Sequence, residues 1–304
     1  MNKALFFSTR SYQYLIDELH QKFTIFQGEI VRNIFPDGEL YLQIKSDVED
    51  KDVVLIGGTI SDSDTLELYD IANGLIQQGA QSLKIMIPYF GYATMERAVK
   101  TGEVVKAKNR ALLFSSLPHG SVSNSIYLID LHSEGIPYYF EKEVRCHHLY
   151  CKKIIMDACK ELCANNFVLA STDAGRAKWV ESLANDMGVT SAFVYKQRID
   201  GNDTHITGVN ANVKDMNVII YDDMIRTGGS LKQAAKAYQD AGAKQIFAIA
   251  THGLFTNQAI QKIENQGIIQ KIICTNTHPN CYDTKNNILE VKSIAQLIFD
   301  TLKS

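Results

Sequence analysis

The sequence lacks both the charge excess and the long apolar runs that would place it on a nucleic acid or in a membrane. Lys and Arg total 31 against 34 Asp and Glu, which gives a formal net charge of −3. This balance offers no basic footprint for nucleic acids or anionic lipids. No apolar run approaches the ~20 residues that a membrane-spanning helix requires. We therefore expect neither a nucleic-acid partner nor a membrane partner.

Cysteine and proline are also sparse. Six cysteines are spread over 304 residues rather than framing a small domain, so we expect reduced thiols and no disulfide framework. The apolar run that follows Met1 is too short for an export signal and is typical of a first β-strand. These features favour a cytoplasmic protein. Five prolines and no Gly/Ser-rich stretch leave no obvious linker between domains.

What the chain does contain is an alternation of short apolar runs with amphipathic segments. Runs such as 53–56, 83–87 and 126–129 are bounded by turn residues, as strands buried on both faces are. Alternating β and α units predict an α/β protein whose parallel sheets carry helices on both faces. A length of 304 residues predicts two domains at ~150 residues each. We place them at 1–147 and 148–304, each a doubly wound parallel sheet.

The strongest single motif lies at 218–230. An apolar strand is followed by the acids Asp222 and Asp223, and the turn Thr-Gly-Gly-Ser at 227–230 then opens a helix. Glycines let backbone N–H groups approach an anion, and the helix N-terminus adds partial positive charge, so the turn is suited to phosphate. Paired carboxylates suit vicinal sugar hydroxyls or a hydrated cation. A strand end followed by an ordinary N-cap would not need the paired acids, the glycine turn and the helix start together. The combination therefore favours a functional role over a purely structural one.

Two further strands are followed by polar residues that could serve the same site. His132 follows the strand near 126–131, and Asp173 follows the strand near 167–170. Function in parallel α/β sheets gathers at the carboxyl ends of the strands, which favours a functional role. Each residue also has an ordinary explanation, because a strand-end histidine is often held by hydrogen bonds and a strand-end Asp often caps a helix.

Two other segments remain open on chemistry alone. Phe35-Pro-Asp-Gly-Glu39 is a turn, which suits either a plain hairpin or a loop that stacks on a base and accepts its hydrogen bonds. Lys196 and Arg198 alternate at the end of a strand and precede a polar segment with glycine at 200–204. This pattern fits a lid that brings cations to developing negative charge, or an ordinary solvated loop.

These segments together resemble a known family. The run at 218–230 resembles the phosphoribosyl-diphosphate (PRPP) motif of type I phosphoribosyltransferase folds. Further segments resemble those of ribose-phosphate diphosphokinase, or PRPP synthetase, in order over essentially the whole chain: Phe35–Glu39, Ile87–Ala93, Asp130–His132, Ser171–Gly175, Lys196–Arg198 and Thr251–Gly253.

The resemblance implies two similar doubly wound domains of the phosphoribosyltransferase type, assembled into a homo-oligomer that in the family is often a hexamer built from dimers. It implies transfer of the diphosphoryl group of ATP to the anomeric hydroxyl of ribose 5-phosphate, giving PRPP and AMP, with Mg²⁺ as cofactor. The phosphate-binding turn alone would also fit a phosphoribosyltransferase that consumes PRPP. A non-catalytic relative that regulates active synthetase subunits is the other alternative.

Site residues are carried over position by position. The resemblance implies that ribose 5-phosphate is bound by Asp222, Asp223, Arg226, Thr227, Gly228, Gly229 and Ser230. It implies that ATP is bound by Phe35, Asp37, Gly38, Glu39, Thr94, Met95, Glu96 and Arg97, with residues 37–39 donated by a neighbouring subunit. His132 and Asp173 match Mg²⁺-binding positions, and Lys196 and Arg198 match a mobile loop that closes over the phosphates.

The chain departs from the family at the nucleotide turn and in the PRPP loop. The family usually continues the Gly-Tyr-Ala turn with Arg-Gln-Asp-Arg-Lys, whereas this chain has Thr94-Met-Glu-Arg-Ala98. A cation and an amide that normally contact ATP are therefore a hydroxyl and a thioether here. Arg226 stands where the PRPP loop usually has Asp, and a cation beside a phosphate cradle should strengthen its attraction for anions.

The segment at 46–51 predicts weak regulation by inorganic phosphate. The family form carries an arginine there that serves the phosphate and ADP regulatory site, whereas this chain has Glu49 and Asp50. We expect shallow activation by phosphate and weak inhibition by ADP, measured by titrating each against the rate of PRPP formation. Steep activation by phosphate would contradict this expectation.

Overall fold

The computed structural model describes residues 4–164, 166–200, 203–282 and 286–303, and only the backbone at 196–200 and 203–207. The chain forms two compact units, Met1–Tyr150 with Ala295–Ser304, and Cys151–Ile294. Each unit is built on one mainly parallel sheet. Among the described residues, no helix is long and apolar enough to cross a membrane.

The strands and helices are numbered in chain order. The strands are β1 Leu5–Ser8, β2 Phe26–Gln27, β3 Ile30–Ile34, β4 Leu40–Ile44, β5 Asp52–Ile56, β6 Ser82–Ile87, β7 Ser125–Ile129, β8 Arg145–Leu149, β9 Val168–Ser171, β10 Thr190–Asp200, β11 Asp203–Val209, β12 Asn217–Ile225, β13 Gln245–Gly253, β14 Ile269–Thr275 and β15 Leu289–Lys292. The α-helices are α1 Gln13–Lys22, α2 Asp62–Gln77, α3 Lys106–Ser115, α4 Lys152–Cys163, α5 Ala177–Met187, α6 Gly229–Asp240, α7 Ala259–Gln266 and α8 Ala295–Lys303. Short 3₁₀ helices lie at Arg10–Tyr12, Ile136–Tyr139, Ala174–Arg176 and Pro279–Cys281.

The sheet of the first unit has the order β2-β1-β5-β6-β7-β8, and all of its pairs are parallel. Four consecutive residues of β5, Val53 to Ile56, are at most 3% exposed, as expected of a strand covered on both faces. On α2, Leu68, Ala72 and Leu75 repeat at helical spacing and join the same core. Strands β3 and β4 form a separate antiparallel hairpin.

The C-terminal helix belongs to the first unit, which differs from the division that we place at 147/148. Helix α8 packs on α1, and the rings of Phe23 and Phe299 stack at 4.0 Å. The chain first passes from the first unit to the second after Tyr150, at the end of β8. The amphipathic pattern of 295–303 predicts a helix but does not indicate which of the two sheets it packs against. We therefore place it with the segment that precedes it in the sequence.

The sheet of the second unit has the order β11-β10-β9-β12-β13-β14-β15. From β9 the chain runs outward through β10 and β11, then returns to lay β12 against the other side of β9. The strand order therefore reverses between β9 and β12. In open α/β sheets a crevice forms at the carboxyl end of this reversal, and ligands bind there. Strands β12 and β13 pair as far as Ile225 and Gly253, beyond the end of β9.

Strand β10 is longer than the sequence predicts, and it changes the setting of Lys196 and Arg198. We place these residues at the end of a strand near 192–195, before a loop. The backbone instead continues to Asp200 and pairs with β11 in an antiparallel hairpin that sets Lys196 opposite Ile206. Pairing with β11 supplies the backbone hydrogen bonds that a loop would lack. Residues 201 and 202 of the predicted lid lie outside the described residues.

The prediction of an α/β fold with two doubly wound parallel sheets is confirmed. The buried runs at 53–56, 83–87 and 126–129 correspond to β5, β6 and β7, each within one residue of its predicted limits. The sequence did not predict the short edge strands β2 and β15 or the β10–β11 hairpin, whereas a hairpin at 35–39 was one of its two open interpretations. Strands β2 and β15 contain no buried residue, so they lack the apolar run that marks a central strand.

Candidate functional site

The best-defined candidate site lies at the strand-order reversal of the second unit. Tyr221 of β12 pairs with Ser171 of β9, which is the last residue of that strand. Asp222 and Asp223 continue β12 beyond this pair, so they border the segment that leaves β9. We expected the two acids just after the strand. They lie within it, because β13 continues to pair with β12 on the other side.

Two residues that follow β9 hold the paired carboxylates. The Thr172 hydroxyl donates to Asp222 Oδ2 at 2.9 Å. Arg176 Nη2 lies 2.6 Å from Asp223 Oδ2, and the Asp223 side chain is only 4% exposed. The Asp223 backbone N–H also donates to Asp222 Oδ1 at 2.9 Å. Each of the two acids is thus held by a residue that follows β9, and one cation pairs with Asp223.

This arrangement changes the acidity of the pair. Burial raises the pKa of Asp222 to about 8, and the charge of the adjacent Asp223 adds to the rise. The hydroxyl of Thr172 and the charge of Arg176 oppose it without cancelling it. The pair therefore retains a proton to higher pH than an isolated carboxyl would, while Arg176 stabilises the negative charge on Asp223. A site in this state offers both a donor and acceptors to a hydroxyl-bearing ligand.

Aromatic packing fixes the strand just before the acids. Tyr221 is fully buried, its ring stacks on Trp179 at 4.2 Å, and its hydroxyl lies 3.1 Å from Thr251 Oγ1. Tyr238 of α6 donates to the Ser171 carbonyl at 3.0 Å. Its hydrogen bond ties the helix after the glycine turn to the end of β9. Both ends of the site are therefore attached to the same core.

The turn between β12 and α6 has the geometry of an anion cradle. Gly228 has φ +76° and precedes α6 as its N-cap, and a Cβ there would lie 2.9 Å from Ile263 Cδ1. Only glycine meets both conditions without strain. The first N–H groups of α6 have no acceptor within the helix, so they point toward the space beyond its N-terminus. Thr227 and Ser230 are exposed there and add two hydroxyl groups.

Backbone hydrogen bonds fix the start of this turn. The carbonyl of Ile225 accepts from Leu254 and Phe255 at 3.0 and 3.1 Å. The Arg226 carbonyl accepts from the Thr256 backbone at 2.9 Å. The Arg226 side chain is exposed, and its Nη2 lies 3.6 Å from Met224 Sδ. Arg226 therefore adds positive charge at the rim of the cradle on a backbone that is already held.

Asp173 lies in the same unit, directly after Thr172. Its Oδ1 accepts from the Gly175 N–H at 2.9 Å and caps the 3₁₀ helix Ala174–Arg176. Its carbonyl accepts from the Ser171 hydroxyl at 2.6 Å. Asp173 therefore caps a helix, as a strand-end Asp often does, and it uses Oδ1 for this hydrogen bond. The capped 3₁₀ helix ends at Arg176, which pairs with Asp223.

The Phe35–Glu39 segment is the tip of the β3–β4 hairpin in the first unit. The N–H of Phe35 donates to the Glu39 carbonyl at 2.9 Å, and Gly38 has φ +92°. The ring of Phe35 is 43% exposed and lies 5.9 Å from that of Tyr41. Ile34 and Leu40 beside it are 57% and 42% exposed. The tip thus presents an apolar surface next to two carboxylates.

The Thr94–Arg97 segment is a surface turn in the same unit. The Met95 N–H donates to the Tyr92 carbonyl at 2.8 Å, and Tyr139 donates through its hydroxyl to the Glu96 carbonyl at 2.6 Å. Met95 is 43% exposed. The backbone is therefore anchored while the side chains of Thr94 and Met95 reach the surface.

His132 follows β7 and is exposed. Asp130 before it has φ +39° and is 5% exposed, and its N–H donates to the Leu149 carbonyl at 2.9 Å. The Leu131 N–H donates to His148 Nε2 at 2.9 Å. His148 therefore holds the backbone that presents His132, a positioning role that sequence reasoning did not assign.

The structure brings together part of the expected set. Asp173, Asp222, Asp223 and the turn at 227–230 occupy one end of the second sheet. His132 and both nucleotide segments belong to the first unit, and the side chains of Lys196 and Arg198 lie outside those described. Sequence reasoning missed Thr172 and Arg176. The signal for Arg176 was a cation three residues after a strand-end acid.

The described residues contain no group of three or more His, Cys, Asp or Glu side chains that could hold a metal ion. The site is thus not a preformed metal cage. Its fold and residues define a class: an α/β protein whose strand-order reversal is suited to a phosphorylated, hydroxyl-bearing ligand.

Comparison with known proteins identifies the family. The family model described as the N-terminal domain of ribose phosphate pyrophosphokinase matches residues 4–117, and that described as the phosphoribosyl synthetase-associated domain matches residues 198–303. The ribose-phosphate pyrophosphokinase of Gloeobacter violaceus is 31% identical over 278 residues, which cover 90% of this chain and 82% of that protein. The chain belongs to the ribose-phosphate pyrophosphokinase family.

Other relatives agree along the whole length. The ribose-phosphate pyrophosphokinase of Mycoplasma genitalium is 30% identical over 97% of this chain and 89% of its own. The crystal structure of phosphoribosylpyrophosphate synthetase from Mycobacterium smegmatis superposes with a TM-score of 0.88, at 24% identity, over 99% of this chain and 98% of that one. At this identity the structural likeness supports the fold.

We expect Gly228→Ala to destabilise the second unit by about 1–2 kcal/mol, because an L-residue is strained at φ +76° and its Cβ would crowd Ile263. Gly229→Ala is the matched control, since this position is helical and its nearest neighbour would be Thr227 Oγ1 at 3.8 Å. The control should be neutral or stabilising by about 0.4–1 kcal/mol. Urea unfolding of the three proteins measures the difference, and equal stabilities would refute the account of the turn.

The raised pKa of Asp222 predicts a pH dependence of stability. Above the carboxyl's ordinary pKa the unfolded chain is ionised, while the folded chain keeps its proton until about pH 8. The folded state thus binds more protons, and the Asp222 contribution to stability falls as pH rises through this window. Asp222→Asn should gain free energy of unfolding relative to the original protein from pH 5 to pH 8. A difference that is constant or shrinks over this range would contradict the raised pKa.

Proposed function

We propose that this protein transfers the diphosphoryl group of ATP to the anomeric hydroxyl of ribose 5-phosphate, giving PRPP and AMP. The observation that carries the proposal is the joining of half-buried Asp222 and buried Asp223 to a glycine-opened helix N-terminus at one strand-order reversal. This site suits one ligand that carries both vicinal hydroxyls and a phosphate. Membership of the ribose-phosphate pyrophosphokinase family supports the reaction.

The second unit would bind the sugar phosphate. The N–H groups at 229–231, with the hydroxyls of Thr227 and Ser230, would bind the 5-phosphate, and Arg226 would add charge at the rim. Asp222 and Asp223 would take the ring hydroxyls. Because Arg176 already balances Asp223, these acids can stay next to a phosphate without the full like-charge repulsion.

The first unit would bind the nucleotide. The exposed ring of Phe35 can stack on adenine, and Asp37 and Glu39 supply acceptors beside it. The turn at 94–97 would border the ATP, with Arg97 as its cation. Such a reaction needs little covalent chemistry from the protein, so binding and alignment carry most of the catalysis.

Lys196 and Arg198 would act on the transferred phosphoryl groups. The proposal gives them this role from the family resemblance and from their position in the β10–β11 hairpin, which begins beside β9. Cations aligned with the charge that builds up during transfer lower the barrier more than they strengthen ground-state binding.

We propose Mg²⁺ as the divalent cation. His132 in the first unit and Asp173 in the second are candidate ligands, each within its own unit. With no three-residue metal group among the described residues, the ion would take most of its ligands from water and substrate phosphates. Mg²⁺ commonly binds in this way, through one or two protein groups and several waters. When bound, it would neutralise the phosphates.

The remaining expectations stay proposals. Ile34, Phe35, Leu40 and Tyr41 form an exposed apolar tip. A neighbouring subunit of the same chain would cover it in a dimer-based homo-oligomer. A cytoplasmic location also stays a prediction.

The direct test is ³¹P NMR of purified protein with Mg²⁺, ATP and ribose 5-phosphate. We expect AMP together with a sugar diphosphate ester, and no ADP. Lys196→Ala should lower the turnover by about 10²–10³-fold while leaving ribose 5-phosphate binding nearly unchanged, because the cation acts mainly in the transition state. The exposed Lys262→Ala on α7 is the control and should leave both unchanged.

Each other outcome has a definite meaning. Formation of ADP would make the protein an ordinary kinase and refute diphosphoryl transfer. No turnover with ATP or any other nucleoside triphosphate would favour the non-catalytic regulatory relative. Equal losses of binding and turnover in Lys196→Ala would remove Lys196 from its transition-state role.

A further inference from the structure

Two cations of α3 lie over one tyrosine ring in the first unit. Lys106 Nζ lies 4.2 Å from the centre of the Tyr92 ring, and the guanidinium carbon of Arg110 lies 5.3 Å from it. Residues four apart share one face of a helix, so both side chains extend toward the same ring. We call Asp62, Tyr92, Lys106 and Arg110 the Tyr92 cluster.

The Tyr92 cluster adjoins the nucleotide turn at 94–97. Tyr92 itself has φ +62°, and its carbonyl accepts the Met95 N–H at 2.8 Å. The Ala107 N–H, next to Lys106, lies 3.4 Å from the Met95 carbonyl. The first turn of α3 thus touches the backbone of the nucleotide turn. Its cations stand beside the position where Thr94 and Met95 replace a family arginine and glutamine.

The cluster has more positive charge than its own carboxylate can balance. The Tyr92 hydroxyl donates to Asp62 Oδ1 at 2.8 Å, and Arg110 Nη2 also donates to this oxygen. The hydrogen bond from Tyr92 is the main reason that the pKa of Asp62 is lowered, and Arg110 and Lys106 add to the effect. One carboxylate therefore faces two cations, which leaves one net positive charge.

Contacts within the first unit also occupy only part of the hydrogen-bonding capacity of Lys106 and Arg110. The Arg110 side chain is 19% exposed, and its buried Nε has no acceptor among the described residues. Lys106 is half-buried against the ring, without an ion pair at contact distance among those residues. An ammonium ion on an aromatic face keeps donors available on its other side. The Tyr92 cluster can thus accept an anionic oxygen without losing its internal contacts.

We propose that Lys106 and Arg110 bind the polyphosphate of the nucleotide and supply the positive charge that the Thr94–Met95 turn lacks. This inference rests on the proposed function for the identity of the anion. Its geometry rests on the Tyr92 cluster alone. The cations act from the neighbouring helix rather than from the turn, and Tyr92 holds them in place.

The test is isothermal titration calorimetry of the full chain with Mg·ATP and with AMP, in the absence of ribose 5-phosphate. The double variant Lys106→Gln/Arg110→Gln should bind Mg·ATP about tenfold or more weakly, because two charge-assisted contacts are lost. AMP affinity should change less than about threefold, since AMP has no β- and γ-phosphates. Lys108→Gln is the matched control: it is exposed on the same helix but two residues away, and so on another face.

A merely structural cluster would give a different result. Loss of the Arg110–Asp62 bond would lower the unfolding temperature while ATP affinity stayed the same, and this outcome would overturn the proposal. Equal weakening of ATP and AMP would overturn it too. If the double variant does not fold, Lys106→Gln alone decides, since it leaves the Arg110–Asp62 bond intact. Tight ATP binding by a protein that forms no PRPP would refute the proposed function without refuting this inference.

Discussion

The second unit depends on one costly arrangement: two adjacent carboxylates near the end of a strand, one half-buried and the other buried. Asp222 and Asp223 would repel each other and lose hydration there if nothing compensated them. Arg176 pairs with Asp223, and Thr172 donates a hydrogen bond to Asp222, whose raised pKa makes ionisation of the second carboxyl less favourable. All of these groups come from two neighbouring strands and the turn after β9. The two acids can therefore be stabilised in this way only because β9 and β12 are neighbours in the sheet.

The same constraint explains the glycine turn. Strands β12 and β13 outrun β9, and the chain must then reverse within three residues to start α6. A left-handed Gly228 provides the reversal, and α6 begins directly after it. The turn at 227–230 thus has positive potential from the helix N-terminus, and the strand before it carries the acids. A ligand that carries only one of the two groups would leave the other end unmatched.

Much of this could be predicted from the sequence, for identifiable reasons. Buried parallel strands such as β5 carry continuous apolar runs, and the run at 218–230 combines acids, glycines and a helix start in one local segment. The return of α8 to the first unit was not predictable, since it depends on Phe299 meeting Phe23 far along the chain. Arg176 was missed because a cation three residues after an acid has meaning only once β9 and β12 are neighbours. The raised pKa of Asp222 likewise requires burial.

The nucleotide turn shows why a motif read along the chain can mislead about charge. Thr94 and Met95 stand where the family has an arginine and a glutamine. The motif alone therefore predicts a weaker affinity for phosphate. A polyphosphate responds to the field at its own position, whichever element carries the charge. Helix α3 touches this turn, so Lys106 and Arg110 can restore the field from a different part of the sequence. Substitutions at such a site should therefore be compared by the charge within reach of the ligand, and only then by position in the motif.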